Sequence, residues 1–284
     1  MKKQQWITAG ASFLLVIILF ALTQNQLFGI PPRSTVVKQK NLETLTSSFS
    51  IDSLINSYKS SLPEQQTNRL NFLEHSISRG DVHDQQLHIY HQLAQFWKDT
   101  AKKFEAYAWY LAQGARLENS EKSLTFAARL FLDNLSNEEK PELKQWEALE
   151  AKDLFERSLK LNPQNDSSKV GLGATLLYGG IAMPMEGIGL IREVADKDPS
   201  NIYAQMTLGQ ASMVSGQLDK AVGRFEAVLQ KQPNNLEALL LLAEVYEQTG
   251  KKTEAIENYK KSLPLLNNPA LKKEVETRIK ELNK

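Results

Sequence analysis

Residues 236–259 read LEALLLLAEVYEQTGKKTEAIENY, a leucine-rich stretch and a charged stretch separated by a single glycine. Apolar residues recur in both stretches at the spacing of one helix face, and Gly250 between them is typical of a turn. The second stretch places Ala255 four residues before Tyr259, so a small side chain precedes a large one by one helical turn. We therefore predict a helix-turn-helix unit, and this unit decides how the flanking sequence is interpreted.

The same pattern stands 34 residues earlier in the chain. The equivalent pairs share small or apolar character: Leu208-Gly209 with Leu242-Ala243, Gly216 with Gly250, Ala221 with Ala255, Phe225 with Tyr259, and Leu229 with Leu263. This period, with L-G followed by A-x3-F and then proline, resembles the tetratricopeptide repeat (TPR). The resemblance implies paired helices that approach closely at the small residues, while the large residues fill the space between neighbouring units.

A third, longer unit precedes these two. Pro199 lies 34 residues before Pro233, and Pro163 lies a further 36 residues back, so the unit at 166–201 has two extra residues. They fall within GGIAMPME, which we interpret as an enlarged turn, because neither GxxxxGK[ST] nor GxGxxG after a strand occurs here. Three apolar side chains of this turn either pack against their own unit, the default, or form a partner-contact loop: Ile181, Met183 and Met185.

The amino-terminal residues predict a membrane anchor. Residues 6–23 are uncharged and mostly apolar, and as a helix they would reach about 27 Å, close to the thickness of a hydrocarbon core. Because Lys2 and Lys3 precede this stretch, we predict a single-pass anchor in a bacterial inner membrane with the rest of the chain in the periplasm. A cleaved signal peptide is the alternative, although its apolar region is usually only about 7–15 residues long.

We therefore predict an all-α fold, a TPR-type solenoid preceded by one transmembrane helix. The predicted segments are a basic amino terminus (1–5), the transmembrane helix (6–23), a linker (24–50), a helical lead-in (51–81), divergent TPR-like helices (82–165), three TPR units (166–201, 202–235 and 236–268) and a capping helix (269–284).

Composition excludes several classes of function. The chain has 34 basic and 33 acidic side chains, a net charge of +1 and no cysteine, so it has no global field for nucleic acid and no thiolate chemistry. His83, His88 and His91 lie near Asp81 and Asp84, but an aromatic stripe already explains their helix. No catalytic motif is present, and we predict neither an enzyme nor a metal or cofactor site.

The resemblance implies a groove lined by the first helix of each unit. The side chains expected to face it are Val170, Leu177, Tyr178, Tyr203, Met206, Gln210, Met213, Glu237, Leu240, Glu244 and Glu247. The earlier members are apolar and the last ones acidic, so we predict a protein partner whose segment has apolar anchors and a basic end. The function expected is a membrane-anchored adaptor. The alternatives are a structural homo-oligomer that uses the same groove, or a groove covered by the chain's own amino-terminal helices.

Overall fold

The computed structural model describes residues 49–79 and 83–284, and these ranges contain thirteen α-helices and no β-strand. The all-α fold class is therefore confirmed for the described residues. The predicted transmembrane helix at residues 6–23 lies outside them. Among the helices that are described, none has both the length and the apolar character needed to cross a membrane.

The described chain divides into two compact units, and the division falls within the eighth helix. The helices of the first unit are α1 (Ile51–Lys59), α2 (Glu64–Arg79), α3 (His83–Gln95), α4 (Phe104–Glu118), α5 (Glu121–Asn134), α6 (Pro141–Leu161), α7 (Asp166–Tyr178) and the start of α8 (Pro184–Lys197). A π-helical turn, Phe96–Thr100, continues α3. The helices of the second unit are the rest of α8, α9 (Ile202–Val214), α10 (Leu218–Lys231), α11 (Leu236–Gln248), α12 (Lys252–Ser262) and α13 (Pro269–Leu282).

Aromatic side chains organise the core of the first unit around Trp146 of α6. The ring centroids of Phe49 and Phe131 each lie 5.4 Å from that of Trp146, and the centroid of Trp109 lies 6.5 Å away. Such aromatic pairs stabilise a fold by about 0.5–1.5 kcal/mol each beyond the burial of their area. Phe49, which precedes the lead-in helices, therefore shares one hydrophobic core with the divergent TPR-like helices.

The repeat of the second unit is built from recurring local devices. Asn201 and Asn235 cap α9 and α11, and their side-chain oxygens accept hydrogen bonds from backbone N–H groups at 3.0 Å and 2.9 Å. After each of these helices a glycine takes the left-handed conformation, Gly216 at φ +73° and Gly250 at φ +77°. Because glycine has no Cβ, it adopts this conformation without steric cost. Asparagine and glycine therefore fix where each first helix begins and ends.

Close approach of paired helices occurs where the sequence pattern predicts it. A Cβ added to Gly209 of α9 would lie 2.5 Å from the ring of Phe225 on α10. That distance is far below van der Waals contact, so only glycine lets the phenyl ring pack flat against the α9 backbone. Phe225, Ala221 and Ala255 are fully buried, and Tyr259 nearly so.

The two extra residues of the predicted TPR unit 166–201 lie in the turn between α7 and α8. It spans residues 179–183, whereas the turn between α9 and α10 spans only residues 215–217. The turn is thus two residues longer, and it brings Gly187 of α8 against α7. A Cβ on Gly187 would meet the carbonyl oxygen of Gly173 at 2.3 Å.

Candidate partner-binding face

Eight of the predicted groove residues lie on the first helices of the second unit, α9 and α11, and six of these eight define a candidate face. A hydrogen bond from Gln210 Nε2 to Glu237 Oε1, 2.8 Å long, joins the two helices. The three residues of each helix follow one another at spacings of three or four positions, which places them on one side of that helix. We call this set the α9–α11 face: Met206, Gln210, Met213, Glu237, Leu240 and Glu244.

Three of the six residues of the α9–α11 face are apolar, and most of the face is shielded from water. Met206, Met213 and Leu240 are 7%, 9% and 8% exposed, and all three belong to the hydrophobic cluster of the second unit. Gln210 and Glu244 are also buried, and Glu237 is half-buried. The sequence identified which positions share this side of the helices, but it gave no measure of this burial.

The two carboxylates of the face have amide partners and no ion pair among the described residues. Glu237 accepts its hydrogen bond from Gln210, and Glu244 Oε1 accepts one from Gln248 Nε2 at 3.0 Å. The second oxygen of Glu244 is buried without a hydrogen-bond partner. Burial raises the pKa of Glu237 and of Glu244 to about 7, and the amide hydrogen bonds offset only part of this rise.

This arrangement favours a cation. A buried carboxylate is costly unless it is protonated, or is paired with a positive charge that supplies hydrogen bonds. The face can therefore hold protons on its carboxyl groups near neutral pH, or receive a lysine or arginine side chain from a bound segment. The apolar side chains beside Glu237 and Glu244 would contact the neighbouring part of that segment.

The other five predicted groove residues are not part of the α9–α11 face, although Tyr203 and Glu247 lie on the same two helices. Glu247 faces α13, where the buried Arg278 donates a hydrogen bond from Nε to Glu247 Oε2 at 2.9 Å, so this carboxylate already has a cationic partner. Tyr203 is half-buried on α9. The other three belong to α7 of the first unit, where the first is fully buried and the next two are half-buried: Val170, Leu177 and Tyr178.

Two contacts of the predicted groove residues were not predicted from the sequence: the hydrogen bond from Gln248 to Glu244 and the pairing of Arg278 with Glu247. Gln248 lies four residues after Glu244, and this spacing on a helix is a local signal that would have indicated the hydrogen bond between them. Arg278 gives no such signal, because it lies in the capping helix, outside the repeat pattern. Its pairing with Glu247 follows from how α13 packs on the second unit.

Met183, at the end of the enlarged turn, and Met185, in the first turn of α8, are exposed. Met183 and Met185 each expose 63% of their surface, while Ile181 is half-buried. The default expectation that both methionines pack against their own unit is therefore wrong. Exposed, flexible thioether side chains are typical of adaptable binding surfaces, so the loop stays a candidate contact.

Two of the histidines near the start of α3 make hydrogen bonds to other residues of the chain. His83 Nε2 lies 2.9 Å from the carbonyl oxygen of Leu117, and His88 Nε2 lies 2.9 Å from the amide nitrogen of Gln92. Within residues 49–79 and 83–284, no three histidine, aspartate or glutamate side chains are grouped so as to hold a metal ion. Asp81, which the sequence places near these histidines, lies outside the described residues.

Comparison with known proteins identifies the repeat class. Residues 215–272 match the family model of the tetratricopeptide repeat, from the turn before α10 into the start of α13. This part of the chain is accordingly made of TPR-type helix pairs. No curated protein sequence matches the chain.

Several solved structures resemble the chain at low identity. MamA from Desulfovibrio magneticus RS-1, from its residue 41 to the end, is 22% identical over 63% of this chain and 94% of that one, with a TM-score of 0.44. YrrB, described as a TPR protein with an unusual peptide-binding site, is 17% identical over 72% and 97%, with a TM-score of 0.41. Yeast Tom70 is 13% identical over 99% and 74%, with a TM-score of 0.37. Likenesses of this degree carry no argument about function.

Proposed function

We propose that this chain is a membrane-anchored TPR adaptor that binds a segment of a partner protein on the α9–α11 face. The TPR match supports a binding role, because stacked helix pairs offer extended surfaces and no catalytic constellation of their own. In this role the chain catalyses no reaction. It holds another protein at a membrane.

The observation that carries this proposal is the composition of the α9–α11 face. Three apolar side chains share this face with Glu237 and Glu244, which have amide hydrogen bonds and no cationic partner among the described residues. A partner segment with apolar anchors would gain from contact with the methionines, and a lysine or arginine beside those anchors would complete the carboxylates. The predicted ligand is therefore an apolar segment with a basic residue at one end.

Residues 6–23 supply the anchor in this proposal. They place the adaptor in a bacterial inner membrane, with the repeats in the periplasm. Membranes washed with alkaline carbonate should retain the chain, and protease added to intact spheroplasts should digest the repeats. Release of the chain by carbonate would contradict the anchor.

The binding proposal is tested by capture from a solubilised envelope fraction. The full chain serves as bait beside variants Tyr203→Glu and Met206→Glu, which place charge on or next to the face, and the milder Glu237→Gln. The exposed Gln230 of α10 provides a control, Gln230→Glu, in the same unit. We expect one partner to be captured by the unmodified chain and by the control, and to be lost from the two glutamate variants at equal helicity.

The alternative of a structural homo-oligomer predicts another result. If the face joins copies of this chain, Met206→Glu should halve the mass measured by light scattering and no other protein should be captured. Equal capture by every variant would contradict a binding role for the face.

A further inference from the structure

The α9–α11 face matches a segment of this same chain. Residues 1–5 read MKKQQ and carry two lysines, and residues 6–23 continue as an uncharged, mainly apolar stretch. This is a basic end followed by apolar side chains, the composition that Glu237 and Glu244 among the methionines would recognise. We propose that, before it enters a membrane, the segment of residues 1–23 occupies the α9–α11 face.

This inference rests on the proposed function, because it takes the α9–α11 face as a binding site for a protein segment. It names residues 1–23 as the segment that occupies the face before a partner does. The segment's lysines would supply the positive charge that no described residue gives to Glu237 or Glu244. The oxygen Oε2 of Glu244, which is buried without a hydrogen-bond partner, is the atom that such an ammonium group would satisfy. Ammonium–carboxylate hydrogen bonds are among the stronger ones in proteins.

The apolar part of the segment gives a second reason for docking. The run FLLVIILF at residues 13–20 is costly to expose to water, and a water-soluble chain must bury it somewhere. Met206, Met213 and Leu240 share the face with the two carboxylates, and their low exposure is what an occupied face would show. One binding event would then serve both the lysines and the apolar run.

The chain is long enough for this docking. Residues 24–48 separate the segment from the first described residue, and 25 residues fully extended span at most about 80–90 Å. A compact chain of about 230 residues, the length that the structure describes, has a radius of gyration of about 17 Å. Because the segment is covalently tethered, its effective concentration at the face exceeds that of a separate partner.

The consequence is regulatory. Residues 6–23 cannot lie on the face and in a bilayer at the same time, so insertion of the segment would free the face for a partner. A ligand that binds one arrangement shifts the population towards it, and here the bilayer acts as that ligand.

Disulfide mapping of the full chain in detergent-free buffer tests this inference. The chain has no cysteine, so every disulfide would come from introduced residues. Met206→Cys or Met213→Cys is combined with one cysteine at each of residues 12–15, four consecutive positions that cover one helical turn. The matched control places the first cysteine at the exposed Gln230 instead. Mixing isotope-labelled with unlabelled chain separates intramolecular from intermolecular disulfides.

We expect an intramolecular disulfide to at least one of residues 12–15 from the face, at several times the yield from Gln230→Cys. Lys2→Glu with Lys3→Glu should lower that yield at equal helicity. Equal yields from face and control, or purely intermolecular disulfides, would overturn the inference, the latter in favour of a second copy. Capture of a partner is measured separately. If no intramolecular disulfide forms but Met206→Glu still abolishes capture, the docking of residues 1–23 is rejected and the proposed function is not.

Discussion

Arg278 of α13 and Glu247 of α11 form a buried ion pair that joins the last helix to the second unit, with side chains only 8% and 10% exposed. Arg278 also donates a hydrogen bond from Nη1 to Glu281 at 2.8 Å. Removing one partner of a buried pair leaves the other charge without compensation, which costs about 3–5 kcal/mol. We expect Arg278→Ala to lower the free energy of unfolding by about 3 kcal/mol, as measured by urea denaturation.

An exposed ion pair in the same unit is the control. Lys261 and Glu257 lie on α12 with side chains 56% and 63% exposed, and exposed pairs contribute little to stability. Lys261→Ala should therefore leave the urea midpoint unchanged. The double variant Arg278→Met with Glu247→Leu should regain most of the lost stability, since it removes both charges. If Arg278→Ala unfolds at the midpoint of the unmodified chain, the ion pair does not hold α13 in place.

Glu244 makes the stability of the second unit depend on pH. Its pKa rises from an ordinary 4.5 to about 7 because of burial, and the hydrogen bond from Gln248 opposes the rise. On α12, the hydroxyl of Tyr259 donates a hydrogen bond to Glu247 Oε2, and the pKa of that phenol is raised by its own burial and by the charge of Glu244. The folded state therefore binds the Glu244 proton more tightly than the unfolded chain does.

The sign of the effect follows from this difference in proton binding. The contribution of Glu244 is most favourable below about pH 4.5, falls as the pH rises towards 7 and stays at its low value above that. In detergent micelles, which hold the apolar residues 6–23 away from the face, we expect Glu244→Gln to stabilise the chain at pH 8 by on the order of 1–3 kcal/mol and to change little at pH 5. Thermal unfolding at the two pH values measures this, and a variant less stable than the parent at pH 8 would contradict it.

Local repetition explains why parts of this structure could be predicted from the sequence. The close approach at Gly209 and the longer turn before α8 both follow from residue types that recur at a fixed period. The burial of Glu244 could not be derived in this way, because helical spacing tells which side of α11 the residue occupies and not what covers that side.

The structural features that could not be predicted from the sequence depend on contacts between residues distant in the chain. Arg278 reaches Glu247 from a helix outside the period, and Trp146 gathers aromatic rings from three separate segments. Neither arrangement has a local signature. The exposure of Met183 is a further case, since an apolar side chain in a turn is compatible with either packing or contact with a partner.

Two glycines of the second unit are expected to respond oppositely to the same substitution. A Cβ at Gly209 would lie 2.5 Å from the ring of Phe225, whereas one at Gly223 of α10 would have no atom within 4 Å. Gly209→Ala should destabilise the fold by about 1–3 kcal/mol through overpacking. Gly223→Ala should stabilise it by roughly 0.5–1 kcal/mol, because alanine favours the helix. Chemical denaturation of both variants measures the two effects, and equal signs would refute the packing of Phe225 on α9.

Asn235 caps the amino end of α11. Asn235 accepts a hydrogen bond from the backbone N–H of Ala238 at 2.9 Å, and it also donates one to Gln232 at 2.8 Å. Replacement of a capping asparagine by alanine costs about 1 kcal/mol, because a helix-terminal N–H loses its acceptor. We expect Asn235→Ala to lower the free energy of unfolding by that amount. The neighbouring Asn234 is exposed and caps no helix among those described, so Asn234→Ala should have no effect. An equal loss in the two variants would show that the asparagine composition of the turn, and not the cap, sets the start of α11.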